Sequence, residues 1–125
     1  PLIVVNIQRG GPSTGLPTNV EQSDLMQAIY GSHGDAPRVV IAPQNVEDCF
    51  YLTMEACRIA KDYSVPVIIL SDQALSSRIE AFDEPELEKI MVKPELDLSP
   101  RDEDFKPYPL DRMTRHAPPG TPMKG

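Results

Sequence analysis

Metal-binding side chains are scarce in this sequence: two cysteines, two histidines and no Cys-x-x-C pair. By itself such a chain cannot ligate an iron–sulfur cluster or a structural zinc, so any redox metal is expected on a partner. Cys49 and Cys57 stand about two turns apart in one predicted helix, too far to bridge, and read as free thiols of a reducing cytoplasm. His33 lies in a glycine-flanked turn and His116 in a proline-rich stretch, so each reads as a surface or interface histidine rather than a base. Basic residues are the minority, 12 against 19 acids, and the net charge of −7 argues against a field that holds nucleic acid or anionic membrane. No apolar run approaches the ~20 residues of a membrane span. No signal peptide is visible in this stretch, nor a nucleophile elbow, Walker loop or Rossmann fingerprint. The chain begins with Pro1 and enters an apolar strand at once, as expected of a fragment or processed chain.

Proline, by contrast, is plentiful. Its 14 residues are about twice average usage and imply a substantial irregular portion. At 125 residues the chain is one domain or part of one, long enough to hide roughly two thirds of its unfolded surface.

The organising stretch is Gln8-Arg9-Gly10-Gly11-Pro12-Ser13-Thr14-Gly15-Leu16-Pro17-Thr18. It follows the β-branched run at residues 2–7, which reads as a strand buried on both faces. Gly10, Gly11 and Gly15 permit positive φ and close approach, while Pro12 and Pro17 stiffen the turn. A guanidinium, several hydroxyls and free amides at the end of a buried strand suit a small anion. Residues 18–31 read as a helix capped by Thr18 or Asn19 and ended by Gly31 in a left-handed conformation, with its dipole toward the loop.

Residues 38–42 form a second short apolar strand closed by Pro43. Asn45 then caps a helix through about Tyr63, whose inward positions are Val46, Cys49, Phe50, Thr53, Ala56, Cys57 and Ala60. Burial of Phe50 is expected to contribute ~1.5–3 kcal/mol, more than an exposed Glu55–Arg58 pair. Ser64-Val65-Pro66 breaks the helix, and residues 67–70 form a third buried strand ending at Ser71-Asp72-Gln73. Alternation of strand and helix predicts a parallel sheet with right-handed crossovers, with further strands expected from upstream or another subunit. From residue 76 the pattern dissolves. A short helix at residues 84–91 is expected, within a solvated connector at 80–106 that carries ten acidic and four basic residues. Residues 107–125 read as an extended arm lying on a neighbour.

The loop, with EQSDLMQAIYGSHGDAPRVVIAP after it and PVIILSDQ further on, resembles the α subunit of 2-oxoacid:ferredoxin oxidoreductases, 2-oxoglutarate enzymes above all. The resemblance runs from residue 1 to about 81 and resumes over 107–125. It implies an α/β fold, a portion of the parallel three-layer thiamin-diphosphate-binding-like type (pyrimidine domain), with an extended Pro-rich C-terminal arm. Residues 1–75 would be the second half of that domain, and 76–125 an acidic and Pro-rich linker toward an absent C-terminal domain. It implies oxidative decarboxylation of a 2-oxo acid, giving acyl-CoA, carbon dioxide and reduced ferredoxin, in a cytoplasmic hetero-oligomer. Thiamine diphosphate with Mg2+ would lie at the interface with a β subunit that also carries a 4Fe-4S cluster. This chain lacks the G-D-G…N motif for the diphosphate and magnesium, and the resemblance places the catalytic glutamate upstream of Pro1, so the chain alone is expected to be inactive.

By resemblance Arg9 grips the substrate carboxylate and Thr18 lies beside the substrate. Chemistry alone leaves Arg9 open between that role and a structural tie to loop carbonyls. Ser13 and Thr14 have hydroxyls for a distal carboxylate or for turn-stabilising bonds to their own backbone. Asp72 ends a strand, where both catalytic groups and turn formers occur. Two rivals remain: a noncatalytic subunit-interaction module whose loop docks an acidic residue, and the pyrimidine domain of another thiamin-dependent enzyme.

Overall fold

The computed structural model describes residues 1–90, 97–112, 114 and 117–122. Three strands form one parallel sheet in the order β1-β3-β2: β1 (Leu2–Gln8), β2 (Val39–Ile41) and β3 (Pro66–Asp72). β3 is central and pairs along its whole length with β1, from Leu2 opposite Pro66 to Gln8 opposite Asp72. The chain crosses the sheet outward from β1 to β2 and back from β2 to β3. With one handedness, those opposite moves put the intervening helices on opposite faces.

One face is covered by α2 (Val46–Tyr63), capped as expected by Asn45, whose Oδ1 accepts from the Asp48 amide at 2.7 Å. The contact is closer and smaller-sided than the sequence implies. Ala56 and Ala60 are the buried helix positions, packed on Val67 and Ile69 with Ile3, Val39, Ile41 and Ile59 around them. Phe50 is only half-buried, in an edge-to-face contact with Tyr51, and Thr53 is exposed, so the expected weight of Phe50 passes to the alanines that let helix and sheet approach. The Glu55–Arg58 pair forms on the exposed side.

α1 (Leu25–Tyr30) belongs to the other face and is much shorter than residues 18–31. Neither Thr18 nor Asn19 caps it; it begins after Asp24, which makes no side-chain cap bond, and Gly31 ends it at φ −75°, not left-handed. The helix start expected at Thr18 or Asn19, at the far edge of the loop, is therefore not formed there. Between α1 and the sheet lies an open cleft of about 500 Å³, bordered by Val4, Ile68, Gln27 and Ala28.

β1 also departs from expectation. It is an edge strand, as is β2, and Leu2, Val4, Val5 and Ile7 are all exposed, Val5 by 57%. After β3 come two single turns, α3 (Gln73–Ser76) and α4 (Leu87–Ile90). α4 falls within the helix expected at 84–91, of which Met91 lies outside the described residues. The connector is not wholly solvated at its start: Glu80 accepts from the Val46 amide at 2.8 Å and pairs with Arg78 at 2.6 Å. The described residues of 97–122 hold no helix or strand element. Turn bonds such as Phe105 amide to Asp102 carbonyl shape this stretch, and the Thr114 carbonyl accepts from the Ser64 hydroxyl at 3.3 Å. Arg115 and His116 lie outside the described residues.

Candidate functional site

The loop leaves β1 at its carboxyl end, beside the carboxyl end of β3. Gln8 is the last strand residue rather than the first of the loop. A return bond closes the turn: the Gly10 amide donates to the Asn19 carbonyl at 3.0 Å, and the Leu16 amide to the Gly10 carbonyl at 3.2 Å. Residues 10 and 16 thus form an antiparallel bridge so close that a Cβ on Gly10 would lie 2.8 Å from that of Leu16. Gly15 takes φ +31°, and a Cβ there would lie 2.7 Å from the Gly11 carbonyl carbon. Ser13 has φ 53°, and the Gly11–Pro12 peptide is cis.

This backbone holds Arg9. Its Nη1 donates to the carbonyls of Gly10 at 3.2 Å and Thr14 at 3.0 Å, and its Nη2 to the carbonyl of Ser13 at 2.7 Å. Three of the five guanidinium hydrogens are spent on orienting the side chain. The Nε hydrogen and one on Nη2 have no partner among the described residues, and no carboxylate there pairs with the charge. Such a pair of donors takes both oxygens of a carboxylate. The tie to loop carbonyls and the capacity to bind an anion thus coexist in one side chain.

Ser13, Thr14 and Thr18 are exposed. Their hydroxyls make no hydrogen bond among the described residues, so the turn is stabilised by the carbonyls of Ser13 and Thr14 and not by their side chains. The loop amides are less free than the sequence suggests. Those of Gly10 and Leu16 are used within the turn, and that of Gly11 donates to the Glu21 carboxylate at 3.3 Å. The structure therefore gathers Arg9, Ser13 and Thr14 in one loop, with Thr18 on its return beside Gly10.

Asp72 faces inward to the fold rather than toward a ligand. Its Oδ1 accepts from the Leu75 amide at 2.9 Å and its Oδ2 from Gln22 Nε2 at 2.8 Å. The Leu75 amide first, then Gln22, hold its carboxyl below the usual range. Residues not singled out as site candidates complete the neck of the loop. Gln8 is buried, its Nε2 donating to the Ser71 carbonyl at 3.2 Å and its Oε1 accepting from the Asp24 amide at 3.0 Å. Asn6 reaches the Asp24 carboxylate at 2.9 Å. Arg38 ties α1 to the start of β2 through the carbonyls of Ala28 and Ala36 and the Ser32 hydroxyl. The only advance signal was a pair of polar residues, Asn6 and Gln8, at alternate positions in an apolar strand.

Compared with known proteins, residues 1–123 match the family model described as pyruvate flavodoxin/ferredoxin oxidoreductase, thiamine diphosphate-binding. The chain belongs to this family. Among curated relatives, the 2-oxoglutarate oxidoreductase subunit KorA of Mycobacterium tuberculosis is 46% identical over 125 residues, covering 98% of this chain and 19% of that protein. The 2-oxoglutarate synthase subunit KorA of Archaeoglobus fulgidus is 51% identical over 90 residues, covering 72% of this chain and 26% of its own length. Among solved structures, a 2-oxoglutarate:ferredoxin oxidoreductase from Magnetococcus marinus, with 2-oxoglutarate, coenzyme A and succinyl-CoA bound, matches with a TM-score of 0.58 and 55% identity. That match covers 60% of this chain and 13% of the other. The chain thus spans less than a third of the length of these curated relatives, 19% and 26% of the two named.

The loop's donors, a guanidinium with two open hydrogens and three unbonded hydroxyls, suit an anionic oxygen ligand and not a cation. Among the described residues no three His, Cys, Asp or Glu side chains converge as a metal-binding group. No helix among them is long and apolar enough to cross a membrane.

Proposed function

We propose that this chain is part of the α subunit of a 2-oxoglutarate:ferredoxin oxidoreductase, and that its Arg9 loop holds the carboxylate of the 2-oxo acid. The observation that carries the reading is the pair of open donors on a guanidinium whose other three hydrogens are fixed by its own loop. The names of the 34–51% identical relatives, most of them 2-oxoglutarate enzymes, support the substrate class. Residues 1–75 are then the second half of the pyrimidine-binding domain, and 76–125 the linker toward a further domain. The β subunit contributes the Mg2+ and 4Fe-4S sites, and ferredoxin and coenzyme A complete the reaction in the cytoplasm.

Thiamine diphosphate, when bound, supplies the nucleophilic carbon and the electron sink for loss of carbon dioxide. The task of this chain is orientation. Arg9 takes both carboxylate oxygens and sets the keto carbon at one angle and distance, removing the entropy that a freely tumbling substrate would lose on reacting. Each charge-assisted hydrogen bond contributes about 1.5–3 kcal/mol. Ser13 and Thr14 offer hydroxyls to the distal carboxylate, and Thr18 bounds the space for the substrate side chain.

Arg9→Lys in the complete enzyme tests this. Lysine keeps the charge but loses the fork, so KM for the 2-oxo acid should rise about tenfold or more, the equivalent of one such bond, with subunit assembly intact. An unchanged KM would contradict the reading, and failed subunit assembly would favour a docking loop instead.

A further inference from the structure

We propose that Gln8 is a positioning residue for substrate binding, its buried amide clamping the neck of the Arg9 loop. This rests on the reading of Arg9 given above. A loop that must present a guanidinium at a fixed angle needs its two ends fixed to each other and to the sheet. Here the outgoing end is Gln8 and the returning end is Asp24, about 16 residues later, and one side chain joins them. Gln8 Oε1 accepts from the Asp24 amide at 3.0 Å while Nε2 donates to the Ser71 carbonyl at 3.2 Å, tying both ends of the loop to central strand β3. The side chain is only 5% exposed, and Arg9 follows it directly in the chain. Asn6, two residues earlier on the same face of β1, reinforces the junction by donating to the Asp24 carboxylate at 2.9 Å.

The role needs a donor and an acceptor on one planar group of this length. Methionine matches the volume and supplies neither bond. A carboxylate accepts from the Asp24 amide but sets an oxygen against the Ser71 carbonyl; when protonated, it restores both bonds. The charged groups around that position are the carboxylates of Asp24 on the returning segment and Asp72 on β3, with Arg9 next to it in the chain, just past the end of β1. α3, which packs on this end of β1, brings no ionisable side chain. Burial and two nearby acids both keep an introduced carboxyl protonated to higher pH.

The test uses the complete enzyme carrying Gln8→Met, Gln8→Glu or Arg9→Lys, with 2-oxo acid-dependent viologen reduction measured at pH 6 and pH 8. Assembly is checked by co-purification of the partner subunit, and exchange of the Asp24 amide is followed by mass spectrometry. Gln8→Met should raise KM about tenfold at both pH values with kcat within about twofold, and should speed Asp24 exchange, because what is weakened is the grip on the carboxylate, which ground and transition states share, and not the chemical step. Gln8→Glu should show the same defect at pH 8 and recover toward the wild-type KM at pH 6, a rescue that a merely structural role would not give. Wild-type KM in both Gln8 variants while Arg9→Lys raises it would overturn the clamp and leave the proposed function standing. If Arg9→Lys also left KM unchanged, the function reading itself would fail. Parallel loss of assembly in both Gln8 variants, alike at both pH values, would likewise overturn the positioning role.

Discussion

At the scale of single residues, the site depends on how tightly the backbone closes around Arg9. Gly10 supplies one of its three acceptors, and any side chain there would meet Leu16 at 2.8 Å on Cβ and 3.1 Å on the carbonyl. Gly11 has open space within 4 Å of its missing Cβ. Gly10→Ala should therefore push residues 10 and 16 apart and cost about 1–3 kcal/mol in the manner of an overpacked contact. The expected order of KM for the 2-oxo acid is Gly10→Ala above Gly11→Ala, and the reverse order would show that the 10–16 bridge does not govern Arg9. The sequence singled out Arg9 as a lone cation among glycines after a strand but left open whether it ties loop carbonyls or binds an anion; the ties to Gly10, Ser13 and Thr14 became visible only in the structure. Gln8 and Arg38 were not legible, because their meaning lies in the Ser71 carbonyl, the Asp24 amide and the Ala28 carbonyl, all distant in the chain.

At the scale of elements, α2 was readable from Asn45 to Tyr63 because its cap, its period and its length agree. The segment before α1 was not. Residues 18–24 carry helix-compatible side chains, yet their polar groups are claimed elsewhere: the Asn19 carbonyl by Gly10, Glu21 by Gly11, Gln22 by Asp72, and the Asp24 amide by Gln8. Tertiary partners outbid a local propensity that is only a few tenths of a kcal/mol per residue. Asp72 joins this segment to α3, and its depressed carboxyl fixes the sign of a pH effect. A carboxyl with a lowered folded pKa stabilises above its unfolded value, ordinarily near 3.9, and the contribution is lost as pH falls through the lower folded value. Asp72→Ala should lower protection of the Leu75 amide by about fivefold at neutral pH, the equivalent of about 1 kcal/mol for a lost cap. The difference from the unsubstituted protein should vanish once Asp72 itself is protonated. Equal protection of the two at neutral pH would show that the Asp72 cap contributes nothing.

At the scale of the whole molecule, the parallel sheet followed from strand alternating with helix, but burial of its first strand did not. A run such as residues 2–7 states that both faces are apolar; it does not state what covers them, and in this chain Leu2, Val4, Val5 and Ile7 remain exposed. The proposed catalytic role has the same form, since a loop with two open guanidinium donors states what it can bind and not what stands opposite it. The most direct measurement is the structure of the complete enzyme with thiamine diphosphate and the 2-oxo acid bound. The account predicts Nε and Nη2 of Arg9 at about 2.7–3.0 Å from the two oxygens of one substrate carboxylate, with Gln8 still bonded to Asp24 and Ser71. An Arg9 guanidinium turned to bulk solvent, with the carboxylate held by other residues, would contradict it.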